Sequence, residues 1–95
     1  MPALLIVDID VHDADSYQEY VAAVPDIIKR HGGTYLVRGG DPEPTEGDWQ
    51  SSRIVILEFP DRAAARAFLQ SEEYAPFLAI RHKAATSRGI LVDGI

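Results

Sequence analysis

Two arginines, a glutamate set into an apolar strand and several aromatic side chains are the groups of this chain best equipped for chemistry. A guanidinium offers a planar fork that matches a carboxylate, so Arg38 or Arg81 could anchor an organic acid. Arg38 is expected at the end of a strand, on a semi-buried face where a charge needs a partner. The alternative to a ligand there is an ion pair with Asp8, Glu58 or a carboxylate of a second chain. Arg81 shares a helical face with Tyr74, Phe77 and Leu78, and could equally lie over apolar groups as a surface arginine. Glu58 interrupts an apolar run; a carboxylate enclosed in such surroundings has its pKa raised and could serve as a general base, or it could simply be paired. Tyr17, Tyr20 and Tyr74 could donate hydrogen bonds or stack on an aromatic substrate, or fill the core with their hydroxyls at its rim. Trp49, on an acidic loop with Glu46, could close over a pocket or pack into another chain.

Other chemistries find little footing. His12, His31 and His82 fall on different elements with no i,i+4 pair, and cysteine is absent, so no metal set is expected. His31 continues the apolar stripe of a helix and could face a pocket, although a helix C-terminus also favours a cation. Gly32-Gly33 and Gly39-Gly40 read as turns rather than as phosphate-binding loops. No Ser-His-Asp arrangement stands out. No cofactor is expected. With nine basic against fifteen acidic residues the chain carries a net charge of −6, which argues against nucleic acid and anionic membrane as partners. The apolar start, Met1 to Val7, lacks a basic flank and meets Asp8 at once, so it reads as a strand and not as a signal or membrane segment. Lack of cysteine fits a reducing cytoplasm.

The elements that must position these groups follow from periodicity. Ala3 to Val11 alternates, with Leu5, Val7, Ile9 and Val11 on one side. Asp13 to His31 switches to a helical stripe of Tyr17, Tyr20, Val21, Val24, Ile28 and His31, capped by Asp13 and closed by Gly32-Gly33. Pro25 inside it is expected to kink or restart the helix. Thr34 to Arg38 reads as a short strand, Gly39 to Trp49 as a long turn-rich connection, and Arg53 to Phe59 as the strongest strand. Asp61 caps a helix from Arg62 to Gln70, Ser71 opens a second helical piece from Glu72 to about Ala85, and Thr86 to Val92 is the last strand. The order βαββαβ, in one domain over residues 1–95, predicts a ferredoxin-like α+β fold with a four-stranded antiparallel sheet and helices on one face.

The two faces of that sheet can be compared in advance. Val7, Ile9, Tyr35, Val37, Val55 and Leu57 form an apolar set suited to the helices. The opposite set holds Leu4, Ile6, Leu36, Ile54 and Ile56, interrupted by Asp8, Arg38 and Glu58. Five large aliphatics are too many to leave wet, and a second copy of the chain would cover them, giving a barrel-like homodimer. In such a sheet the late residues Asp8 and Arg38 lie near one end and Glu58 near the other, so one site using both would need a partner chain.

The runs His31-Gly32-Gly33, Arg38-Gly39-Gly40, Glu46-Gly47-Asp48-Trp49, Glu58-Phe59-Pro60 and Ser71-Glu72-Glu73-Tyr74 with Arg81 together resemble the bacterial domain of unknown function 1330 family, over essentially the whole chain. The resemblance implies membership of the dimeric α/β barrel superfamily, which includes cofactor-free monooxygenases, haem-degrading enzymes and muconolactone isomerases. Two functions stay open on this reading. One is a cofactor-free enzyme, isomerase or monooxygenase-like, acting on a small organic acid or aromatic compound. Its pocket would lie between sheet and helices, lined by Tyr17, Tyr20, Trp49 and Tyr74 and anchored by Arg38 or Arg81. The other is a small-molecule-binding or structural homodimer without turnover.

Overall fold

Leu5, Val7 and Ile9 point to one side of the first strand and Leu4, Ile6 and Asp8 to the other, and this division runs through the whole molecule. The computed structural model describes residues 1–95. Its elements are β1 (Ala3–Val11), α1 (Ala14–Arg30), β2 (Thr34–Gly39), β3 (Ile54–Phe59), α2 (Arg62–Leu69), α3 (Ala75–Ala84) and β4 (Ala85–Asp93). The sheet has the order β2-β3-β1-β4 with every neighbour antiparallel, which is the ferredoxin-like arrangement. All helices lie on the side of Leu5, Val7 and Ile9. These residues pack with Val55, Leu57 and Phe59 of β3 against Val24, Ile27 and Ile28 of α1 and Phe68 of α2. No helix is long and apolar enough to cross a membrane.

Local chemistry explains the helix ends. The Asp13 carboxylate accepts from the Ser16 amide at 3.2 Å and from its hydroxyl at 2.8 Å, capping α1. Gly32, at φ +81°, lets the chain turn back so that the Gly33 amide donates to the Ile28 carbonyl at 2.9 Å. A Cβ on Gly33 would stand 2.6 Å from the Ile28 side chain and 2.8 Å from the Phe59 ring, so this close approach of helix to strand needs glycine. α1 runs through Pro25 without restarting. The missing N–H forfeits one backbone bond, and burial of Val24, Ile27 and Ile28 around it holds the helix together. Asp61 caps α2 through the Ala64 amide at 2.8 Å. Ser71 caps only a turn, its hydroxyl accepting from the Tyr74 amide at 3.2 Å. α3 begins later than its sequence suggests, at Ala75, with Pro76 in the first turn where a missing donor costs nothing.

One departure from simple alternation matters for function. Tyr35 pairs with Leu57, but Val37 pairs with Ile56 and Arg38 with Val55, so Leu36 is the extra residue of a β-bulge. Beyond the bulge every side chain of β2 changes sides. Val37, expected beneath the helices, lies on the outer face, and Arg38, expected on the outer face, comes round to the helix side above Tyr35.

The outer face is bare. Cross-strand pairing places Leu4, Ile6, Val37, Ile54, Ile56, Ile90 and Val92 there, with Ile90 59% exposed and Leu36 at the bulge 52%. Ile90, Val92 and Val37 enlarge the apolar set read from sequence. The molecule is a slab of 32 × 31 × 16 Å, and its 6076 Å² of accessible surface exceeds the roughly 5,400 Å² expected of a monomer of this mass.

Candidate functional site

Between the sheet and the helices lies a cavity of about 30 Å³, walled by the core aliphatics and by Tyr17 and Tyr20 of α1, Tyr35 and Arg38 of β2, Arg53 just before β3, and Tyr74 and Arg81 beside and on α3. Three arginines therefore meet at one place, and no acidic side chain lines it. Of the four arginines elsewhere, three are paired and Arg66 is not. Arg30 is paired with Glu73 at 2.9 Å, Arg62 with Asp93 at 2.7 Å and Arg88 with Asp8 at 3.2 Å. Arg38, Arg53 and Arg81 have no carboxylate partner.

Each guanidinium is held differently. Arg81 donates from one Nη to the hydroxyls of Tyr20, at 3.2 Å, and Tyr74, at 3.3 Å, and those hydroxyls share a hydrogen bond of 2.6 Å. Its Nε is buried with no partner. Arg53 follows the β3 alternation onto the helix side; its carbonyl accepts from the Ile9 amide at 2.9 Å, so the ladder fixes its backbone. Its Nε is also buried and unpartnered. Gly39 makes room for it: at φ +95° that residue needs glycine, and a Cβ there would lie 3.0 Å from an Arg53 Nη. Arg38 is exposed at the mouth, its guanidinium 4.9 Å from the centre of the Tyr35 ring.

The tyrosines supply hydroxyls in dry surroundings. Tyr17 stacks on Tyr20 with ring centres 5.4 Å apart, and Tyr74 lies against Phe68 at 4.2 Å. Burial pushes the Tyr74 phenol far above the ordinary range, so it stays protonated at physiological pH. Burial also raises the Tyr17 phenol, against the pull of the adjacent Arg53 guanidinium. Tyr35 is raised in the same way, with Arg38 opposing. Chemically the cavity presents fixed positive charge and neutral hydroxyl donors. It holds no histidine, aspartate or glutamate to act as a base.

Of the residues singled out from sequence, Tyr17, Tyr20, Tyr74, Arg38 and Arg81 stand around this one cavity, and three stand elsewhere. Trp49, expected to line it, lies on the opposite face of the sheet. The reason is Asp8, whose carboxylate on the outer face accepts from the Trp49 indole at 2.9 Å and from the Ser51 hydroxyl, drawing the loop to that side. Those bonds, that of Ser51 foremost, hold Asp8 below the usual carboxylate range. Arg38, carried by the bulge to the helix side, has no ion pair with Asp8, whose cation is Arg88. Glu58, read as a candidate enclosed base, is exposed at the far end of the sheet opposite Leu4 and Thr34. His31 sits outside the cavity at the end of α1, its Nδ1–H donating to the Ile27 carbonyl at 2.9 Å and its ring edge-on to Phe68.

Sequence reasoning missed Arg53 and Tyr35 as site residues. The signal for Arg53 was present: its alternation with Val55 and Leu57 puts a charge on a face otherwise reserved for the core. Tyr35 shares that face.

Comparison with known proteins places the fold. No curated protein matches the chain in sequence. Among solved structures, a protein of unknown function from Rhodopseudomonas palustris is similar at a TM-score of 0.80 and 20% identity, over 99% of this chain and 82% of its own. SnoaB, a cofactor-independent oxygenase from Streptomyces nogalater, is similar at 0.72 and 18% identity, over 99% and 93%. A dimeric ferredoxin-like protein of unknown function from Jannaschia sp. CCS1 gives 0.73 and 11% identity, over 99% and 100%. At such identities the likeness is one of fold. The sequence itself carries the family: the model of the domain of unknown function (DUF1330) matches residues 2–95, and the chain belongs to that family.

Proposed function

We propose that this protein is a homodimer whose subunits each bind a small organic carboxylate between sheet and helices, held by Arg38, Arg53 and Arg81 with the tyrosine hydroxyls as further donors. The observation that carries this reading is the pair of buried, unpartnered Nε atoms of Arg53 and Arg81 in a cavity without an acid. A buried guanidinium nitrogen left without an acceptor is costly, and a carboxylate presents acceptors matched to it. The dimer rests on the bare outer face. Apolar side chains from all four strands lie on it, the kind of surface that stable interfaces bury at ~800 Å² per partner. The dimeric fold relative supports the same assembly.

Thermal denaturation against a panel of small carboxylates tests the binding. Aliphatic or aromatic acids at millimolar concentration are expected to raise the melting temperature of the wild type, and Arg53→Gln or Arg81→Gln to abolish the rise. A panel that leaves the wild type unmoved refutes the reading.

A second reading, turnover without a cofactor, has one observation in its favour. The hydrogen-bonded hydroxyls of Tyr20 and Tyr74, both touched by Arg81, form a donor set suited to an oxyanion as it develops. The cavity provides no base, so this chemistry requires a substrate acidic enough to arrive as its anion. Oxygen uptake or ultraviolet spectral change with acidic phenols and enolisable acids is the assay, with Tyr74→Phe expected to slow turnover more than it weakens binding.

A further inference from the structure

We propose that the ligand of the arginine cavity is a short dicarboxylate taken lengthwise, one carboxylate inside against Arg53 and Arg81 and the other at the mouth against Arg38. This rests on the organic-acid reading of the cavity and narrows it.

Charge is the first ground. Three fixed positive charges stand around one space in a chain of net charge −6, while Arg30, Arg62 and Arg88 on the surface each have a carboxylate of their own. A single carboxylate offsets one of the three charges, and the field of the other two still favours a second anionic group. A dianion leaves one.

Depth is the second ground. The inner space of about 30 Å³ is only a few times the ~10–15 Å³ needed to hold a water, so it takes a carboxylate group and little more of any ligand. The rest of the molecule must extend to the mouth. Arg38 is the cation it meets there, exposed and backed by the Tyr35 ring.

Spacing is the third ground. Arg38 pairs with Val55, and Arg53 is two residues from Val55 on the same face, so Arg38 and Arg53 are diagonal cross-strand neighbours. Such backbone positions lie about 7–8 Å apart, and the long side chains place the two guanidiniums at different depths, Arg53 with its Nε buried and Arg38 exposed over the Tyr35 ring. The bulge at Leu36 creates this arrangement. Without a register shift between Tyr35 and Val37, Arg38 would stand on the other side of the sheet.

Isothermal titration calorimetry on the protein decides the matter, comparing glutarate with valerate, its monoacid of equal chain length, and with inorganic phosphate. Glutarate is expected to bind at least tenfold tighter than valerate. Phosphate, whose charges sit on one centre and cannot reach both ends, is expected to do no better than valerate. Arg38→Gln is expected to erase the preference for the diacid, whereas Arg53→Gln weakens both acids. Equal affinities for glutarate and valerate in the wild type, both lost in Arg53→Gln, would overturn the dicarboxylate and leave the carboxylate site standing. Phosphate binding as tightly as glutarate would overturn it as well. If neither acid binds, the carboxylate site itself fails. The wild-type comparison needs no variant, and Arg53→Lys substitutes should Arg53→Gln fold poorly.

Discussion

Replacing Arg53 by methionine should make the ligand-free protein more stable while removing its response to carboxylates. The guanidinium is half-buried among Tyr17, Val55 and Tyr35, its Nε is without an acceptor, and no carboxylate lies against it. An unsatisfied buried donor costs about 1–3 kcal/mol, and an apolar side chain of similar length removes that cost while keeping most of the packing. We expect a gain of about 1 kcal/mol, which for a domain of this size raises the melting temperature by roughly 4–8 °C. The assay is thermal denaturation of both proteins at one protein concentration, since a dimer's melting temperature depends on it, with and without a millimolar carboxylate. Saturating ligand should narrow or reverse the difference, because only the wild type is stabilised by binding. A ligand-free Arg53→Met protein less stable than wild type would refute the reasoning, since the guanidinium would then be contributing to the fold instead of waiting for an anion.

Other expectations follow from the same geometry. Gly39→Ala forces a side chain into a left-handed conformation and against Arg53; a loss of about 1–2 kcal/mol in chemical denaturation is expected, together with weaker carboxylate binding. Ile90→Glu places a charge on the outer face at its β4 edge, opposite Ile6, and multi-angle light scattering should find a monomer for the variant and the proposed dimer for the wild type. The Asp8 carboxyl is held below its ordinary value of 3.8, chiefly by the Ser51 hydroxyl and further by Trp49 and Arg88. Its contribution to stability is therefore complete above about pH 4 and is lost as pH falls through the lower folded value. Asp8→Asn should be less stable than wild type at neutral pH and show a shallower loss on acidification, followed through Trp49 fluorescence.

The sequence made the framework legible because periodicity, caps and turn residues agreed with one another. Ala3–Val11 alternates without a break, Asp13 and Asp61 cap the helices that follow them, and Gly32-Gly33 closes the first helix. Tyr17, Tyr20, Tyr74 and Arg81 share one cavity as the helical stripes suggested. What stayed hidden depended on long-range pairing. The bulge at Leu36 has no local signal, because neither glycine nor proline marks it; only the register against β3 reveals it, and with it the true side of Arg38. Trp49 went to the outer face because Asp8, far away in the chain, offers an acceptor there. Glu58 reads as enclosed only if the sheet's end is covered, and in one subunit it is not. Arg53 is legible in its alternation with Val55 and Leu57, a charge on the face otherwise given to the core.

Nuclear magnetic resonance of the arginine Nε–H groups, recorded while glutarate is titrated into the protein, tests the central claim most directly. If the cavity is an anion site, the Arg53 and Arg81 signals move downfield as their Nε–H groups gain an acceptor, and those of Arg30, Arg62 and Arg88, already paired on the surface, stay in place. Movement confined to the surface arginines, or none at all up to millimolar acid, would contradict the account.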